Sequence, residues 1–150
     1  MNQNVVILLA EDNPGHAKLT RKHLKRAGLK NTIIHFNNGE ELLNFLDKNG
    51  EYPNSPEIEQ SYFIIMDLKM PIIDGFKALE LLKSNNTYAV IPVVIYSTSD
   101  DPLEIYKCYQ KGCNGYVVKP VQSKDFADFL KNLVSYLKII QIPVINKNLE

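Results

Sequence analysis

The sequence predicts a doubly wound α/β domain around a five-stranded parallel sheet. Short apolar runs alternate with longer amphipathic stretches, and four of the five runs are near-continuously apolar. Strands buried on both faces have that pattern, whereas half-exposed strands alternate. Turn residues bound most of the runs, and five strands alternating with five helices imply right-handed crossovers.

The first run, Val5–Ala10, leads through Glu11 and Asp12 into a helical pattern over Gly15–Ala27 that Gly28 should stop. Thr32–Phe36 is the second strand, and Gly39–Asp47 the second helix. The stretch Asp47–Ser61 holds Gly50, Pro53, Pro56 and several acids; a connection this long is usually functional or mobile. Tyr62–Met66 and Gly75–Lys83 follow as strand and helix, then Pro92–Tyr96 as the fourth strand. Asp101 before Pro102 reads as an N-cap with proline at the first helical position, opening Pro102–Lys111, with Gly112 as its stop. Gly115–Val118 is the fifth strand, and Ser123 reads as the N-cap of a last helix, Lys124–Lys138. That helix carries Phe126, Phe129, Leu130, Leu133, Leu137 and Ile140 near helical spacing, first of all a core face. Residues 139–150 form a tail with Ile139, Ile140, Ile142, Val144 and Ile145 interrupted by Pro143.

Composition narrows the function classes. The 150 residues are 45% hydrophobic and 23% charged, enough for one core and unlike a disordered chain. Lys+Arg and Asp+Glu balance at 17 each, so the whole chain exerts no net pull on nucleic acid or an anionic membrane. No apolar run approaches the ~18 residues that span a bilayer, and the start lacks a basic leader with a cleavage site, which reads as cytoplasmic. Cys108 and Cys113 have no partner pair or histidine cluster to make a disulfide framework or a zinc site.

Ligands of an open parallel sheet sit at the carboxyl ends of its strands. There the first strand delivers Glu11 and Asp12, the third Asp67, the fourth Ser97 and Thr98, and the fifth Lys119. Each residue alone is what any wet loop offers; the set brings acids, hydroxyl and ammonium together with complementary roles. Three carboxylates against one ammonium invite a divalent cation, and all-oxygen ligation suits Mg²⁺ better than Zn²⁺. An aspartate beside such an ion can attack a phosphoryl group while cations neutralise its oxygens. There is no G-x-x-x-x-G-K-[ST], no dinucleotide fingerprint in EDNPGHA and no G-x-S-x-G. Lys69 stands two residues after Asp67, where aspartate-nucleophile phosphohydrolases usually carry a second acid, so no general acid for turnover is visible.

With Glu11-Asp12, Asp67, M-P-x-x-D-G at Met70–Gly75, Ser97 after PVVIY, and GYVVKP at Gly115–Pro120, the chain resembles the receiver domain of two-component response regulators. The resemblance covers roughly Val5 to Lys138, which sets a receiver domain over residues 1–138 and a tail over 139–150. It implies the flavodoxin-like strand order 2-1-3-4-5 and phosphoryl transfer from a histidine kinase to Asp67. It further implies Mg²⁺ held by Glu11, Asp12, Asp67 and the backbone carbonyl of Lys69, Ser97 as the switch hydroxyl, Tyr116 as the aromatic switch residue, and Lys119 as the bridge between acids and phosphate. A cis bond before Pro120 also belongs to the pattern. Thr98 departs from it, because alanine or glycine is frequent there. His16 stands where an acid is common, and reads as a solvated helix-start residue; His23 and His35 read as surface or core.

No output domain is expected after the receiver, so its message should pass by binding, or phosphate should pass to or from a histidine phosphotransfer protein. Between Asn13 and Gly39 there is no acid, while Lys18, Arg21, Lys22, Lys25, Arg26 and Lys30 crowd the first helix and its exit. This stripe reads either as a solvated face or as a dock that steers an acidic kinase surface; no recognition element for DNA is left over. The tail patch with Tyr106 and Tyr109 exceeds what one helix face can bury, which points to a homodimer unless the tail turns back over its own sheet. The long loop before the third strand and the C-terminal extension resemble single-domain receivers associated with bacterial phytochromes.

Overall fold

The computed structural model describes residues 5–48, 60–119 and 123–145. Its strands are β1 (Val5–Ala10), β2 (Ile33–Phe36), β3 (Ser61–Met66), β4 (Val93–Ser97) and β5 (Gly115–Val118). Its helices are α1 (Pro14–Arg26), α2 (Gly39–Lys48), α3 (Gly75–Ser84), α4 (Pro102–Gln110) and α5 (Ser123–Leu137). All four strand pairings are parallel, in the order β2-β1-β3-β4-β5, as the sequence predicts.

The continuous apolar runs divide between two cores by strand alternation. Val5, Ile7 and Leu9 of β1 and Phe63 and Ile65 of β3 face Ala17 and Leu24 of α1 and Leu130, Leu133, Val134 and Leu137 of α5. Leu8, Ala10, Tyr62, Ile64 and Met66 point the other way, onto Leu42 and Leu46 of α2, Leu79 and Leu82 of α3 and Cys108 of α4. Truncating a fully buried leucine such as Leu8 to alanine would cost about 2–5 kcal/mol by lost transfer energy and cavity.

Local chemistry sets the helix ends. Asn13 caps α1 by accepting from the His16 N–H at 3.1 Å, so the helix begins at Pro14, one residue before the sequence pattern suggested. Asp101 caps α4 as expected, accepting from the Leu103 N–H at 3.0 Å. Gly28 and Gly112 both stop helices at φ near +100°, each with the following N–H bonded back to Leu24 or Cys108. Ser123 is a correction: it is the first residue of α5 and not its cap. Residues 120–122, and with them the bond before Pro120, lie outside the described residues, as does most of the long connection after α2.

The tail turns back. The Ile145 N–H donates to the Gln60 carbonyl at 2.7 Å in an antiparallel bridge, and the Ser61 hydroxyl donates to the Ile142 carbonyl at 3.3 Å. Ile140 and Ile142 join the α1/α5 core and Ile145 the opposite one, while Ile139, Tyr106 and Tyr109 stay exposed. Helix α5 ends at Leu137, well before Pro143, and part of the apolar patch is consumed within the chain.

Candidate functional site

The carboxyl edge of the sheet is assembled by backbone bonds between strand ends. Glu11 N–H donates to the Phe36 carbonyl at 2.9 Å, Asp67 N–H to Ala10 at 3.0 Å, and Lys119 N–H to Ser97 at 2.6 Å. These place the ends of β1, β3, β4 and β5 side by side, which is why acids 56 residues apart in sequence meet: carboxylate oxygens of Glu11, Asp12 and Asp67 lie within 4.8 Å of one another. Lys119 closes the group, its Nζ 2.6 Å from Glu11 Oε1 and 2.8 Å from Asp67 Oδ2. The sequence expectation that these four converge is met.

The charges are unequal and partly dry. Glu11 is buried, Asp67 half-buried, Asp12 exposed and the Lys119 side chain only 8% exposed. Burial raises the Glu11 pKa, Lys119 opposes that rise, and the neighbouring Asp67 adds to it. Burial also works against the Lys119 charge, yet the hydrogen bonds it donates to Asp67 and Glu11, with the charges of those carboxylates, outweigh it and hold the ammonium above its ordinary pKa. Three carboxylates facing one ammonium leave an excess of negative charge on hard oxygen donors. That donor set fits a hard divalent cation.

Asp67 is held from behind. Its Oδ1 accepts from the Leu68 N–H at 2.7 Å and, more weakly, from Lys69 N–H at 3.4 Å. The loop cannot retreat from α3: a Cβ on Gly75 would lie 2.2 Å from the Asp67 carbonyl oxygen, and the Gly75 N–H donates to the Leu68 carbonyl at 2.8 Å. Between them Ile72 adopts φ +70°, a left-handed conformation that is an outlier for a β-branched residue, and its side chain is exposed.

On the α4 side, Ser97 is fully buried and its Oγ accepts from the Ser99 N–H at 3.3 Å. The Tyr116 hydroxyl donates to the Ser99 carbonyl at 2.7 Å, and the Ser99 side chain bonds the Glu104 carboxylate. Ser97 and Tyr116 thus share Ser99 as a partner, while Thr98 is exposed.

The histidines divide differently from the sequence reading. His16 is exposed, as expected of a helix start, although its Nδ1 lies 3.7 Å from Glu11 Oε1. His35 supports the site: its Nε2–H donates to the Glu11 carbonyl at 2.6 Å and ties β2 to the acidic loop. A second residue missed in the sequence is Tyr96, over whose ring Lys119 Nζ sits at 5.4 Å from the centroid. Its aromatic character, one residue before Ser97, was the available signal.

The chain belongs to the response regulator receiver domain family, whose model matches residues 7–131. It is similar to the response regulator Rcp1 of Synechocystis, 31% identical over 143 residues and 95% of either chain. The Mn²⁺-bound structure of Rcp1 superposes with a TM-score of 0.80, covering 92% of this chain and 98% of that one. A receiver domain from Rhodospirillum rubrum gives a TM-score of 0.84 at 36% identity, over 94% of this chain and 99% of that one. The phosphorylated cyanobacterial phytochrome response regulator RcpA gives 0.81 at 28% identity, over 92% and 97%. Receiver domains of this kind are signalling switches. Among the described residues no helix is long and apolar enough to cross a membrane.

Proposed function

We propose that this receiver domain accepts a phosphoryl group from a sensor histidine kinase on Asp67 and that the acyl phosphate changes what the protein binds. One observation carries the reading: the Lys119 ammonium is shared between Glu11 and Asp67 at 2.6 and 2.8 Å, beside a third carboxylate, Asp12. An Asp67 carboxylate oxygen attacks phosphorus as the phosphohistidine P–N bond breaks, and the departing imidazole nitrogen takes a proton from solvent. Glu11, Asp12, Asp67 and the Lys69 backbone carbonyl would hold Mg²⁺, which when bound supplies neutralisation of the phosphoryl oxygens. Lys119 remains the protein's own cation for those oxygens. Ser97, buried beside the acceptor strand end, turns its hydroxyl to the phosphoryl group, and Tyr116 follows through Ser99. The chain is read as a switch and not as a turnover enzyme, a reading that its membership of the receiver family supports.

The switching unit is residues 1–138, with 139–150 an appended tail. Similarity to RcpA supports a phytochrome-type kinase as donor. The acid-free stripe from Lys18 to Lys30 supports an acidic docking surface on it. Exposed Leu103, Tyr106 and Tyr109 on α4 support self-association as the output.

Acetyl phosphate with Mg²⁺ tests the acceptor directly. Intact mass should show one acid-labile phosphoryl group that disappears in Asp67→Asn and with EDTA; undiminished labelling of Asp67→Asn would overturn the assignment. Back-transfer from the labelled protein to a histidine phosphotransfer protein would convert the reading into a phosphate relay.

A further inference from the structure

Lys119 does not stand on its two carboxylates alone. Its Nζ lies over the ring of Tyr96, 5.4 Å from the centroid. Tyr96 is 3% exposed, and its other neighbour is an aromatic: the Phe129 ring stacks on it with centroids 5.1 Å apart and planes 18° from parallel. A continuous column therefore runs from α5 through Phe129 and Tyr96 to Lys119, and from there to Glu11 and Asp67. It stands on the α1/α5 side of the sheet, whereas Ser97, Ser99 and Tyr116 make their bonds on the α4 side.

An ammonium over an aromatic face is attracted by the ring quadrupole, most strongly where water is excluded. The Lys119 side chain is 8% exposed, so that attraction is little screened. The ring also limits where the four-carbon stem can place its charge. A lysine without this rest would keep its carboxylate bonds in the unphosphorylated protein but would have more positions to choose from once a phosphoryl group draws on it.

We propose that Tyr96 is a positioning residue for the phosphoryl-binding lysine, holding the Lys119 ammonium from below and linking it mechanically to α5 through Phe129. The proposal rests on the assignment of Asp67 as acceptor. Its second consequence is that a change in charge at Asp67 reaches α5 by a route that bypasses Ser97 and Tyr116.

The test separates the ring from the hydroxyl and the phosphoryl group from the metal. Beryllofluoride and Mg²⁺ affinities are measured by calorimetry on the full chain, Mg²⁺ alone first and beryllofluoride at saturating Mg²⁺. Tyr96→Leu should weaken beryllofluoride binding about tenfold, the size of a desolvated cation–π contact, with Mg²⁺ affinity not reduced. Tyr96→Phe should behave as the parent. Phe129→Leu, which leaves Tyr96 in place, should give a smaller loss in the same direction, and it keeps the proposal testable if the leucine variant at 96 folds poorly. A structural signature accompanies these numbers: the Lys119 Cε protons should be ring-shifted upfield in the parent and in Tyr96→Phe, and return toward ordinary values in Tyr96→Leu. Unchanged beryllofluoride affinity in both leucine variants would overturn the proposal, as would a loss in Tyr96→Phe equal to that in Tyr96→Leu. Parallel losses of Mg²⁺ and beryllofluoride would also overturn it, by showing general damage to the site. A parent protein that binds Mg²⁺ but no beryllofluoride would instead overturn the reading of Asp67, and this inference with it.

Discussion

Two sheltered lysines at opposite ends of the sheet meet opposite chemistry. Lys119, at the carboxyl edge, bonds two carboxylates and has its pKa raised. Lys83, at the end of α3, donates to the Ala89 and Ile91 carbonyls at 3.0 and 2.8 Å and to Asn114 Oδ1 at 3.2 Å, ahead of β4 and β5. Burial lowers its pKa, outweighing the opposing influence of Cys113. Three neutral oxygens satisfy the donors of an ammonium but not its charge, so Lys83 is a clamp on two loops. Lys119 in turn satisfies its surroundings only in part, because three carboxylates face its one ammonium, and that imbalance is what lets an added cation or phosphoryl group rearrange the site. The same side chain is structural where its partners are neutral and responsive where they are charged.

The largest expected effect breaks the responsive end. Lys119→Ala should abolish the conformational change that beryllofluoride induces, read by NMR shifts, while Mg²⁺ affinity holds or improves because a competing cation is gone. A collapse of Mg²⁺ affinity in that variant would erase the distinction between the two ends.

Lys83→Met should do the reverse, leaving acetyl phosphate labelling intact and costing about 1–3 kcal/mol of urea stability for the carbonyls it strands. It also carries a pH signature. A lysine whose folded pKa lies below its unfolded value makes stability rise with pH as the reference value of ~10.4 is approached from below, since the unfolded chain then binds more protons. The urea midpoint of the parent should therefore gain relative to Lys83→Met as pH rises in that window. Lys119 has the opposite sign: its contribution is present below ~10.4 and is lost as pH passes its raised folded value.

The smallest effect sharpens the comparison from the acceptor loop. Ile72 holds φ +70° beside Asp67, and Ile72→Gly should relieve that conformation and stabilise the protein by about 1 kcal/mol in thermal unfolding, less the entropy that glycine adds to the unfolded chain. No comparable outlier is found at the clamp of Lys83 among the described residues, where the only positive φ nearby belongs to Gly112.

The strands, the sheet order and the four charged members of the site were legible because each follows from one-dimensional signals: a buried run that ends in a charge, or a motif in fixed order. What escaped depends on register between elements. His35 reaches Glu11 only because β2 lies in parallel register with β1, Leu9 opposite His35. Tyr96 matters because α5 sets Phe129 on its ring, a contact 33 residues away that no periodicity encodes. Lys83 sat in a correctly predicted helix, yet its acceptors belong to two later loops. The tail was read as surplus apolar material with two destinations, and its return to Gln60 needed the spatial neighbourhood of β3. Ser123 shows the limit of capping signals, since a serine favoured at the cap also tolerates the first turn.

The 108-residue separation of Glu11 and Lys119 sets an order of events during synthesis. The acidic pair and Asp67 are already present in a nascent chain that ends at β4, whereas the ammonium that bonds Glu11 and Asp67 follows only after β5. Closing a contact of such long sequence separation is slow, so the acids wait longest for the partner they need most. A ribosome-bound chain stopped before Lys119 is thus a half-built sheet with a repelling edge, and the final strand arrives as both its last hydrogen-bonded partner and its counter-charge.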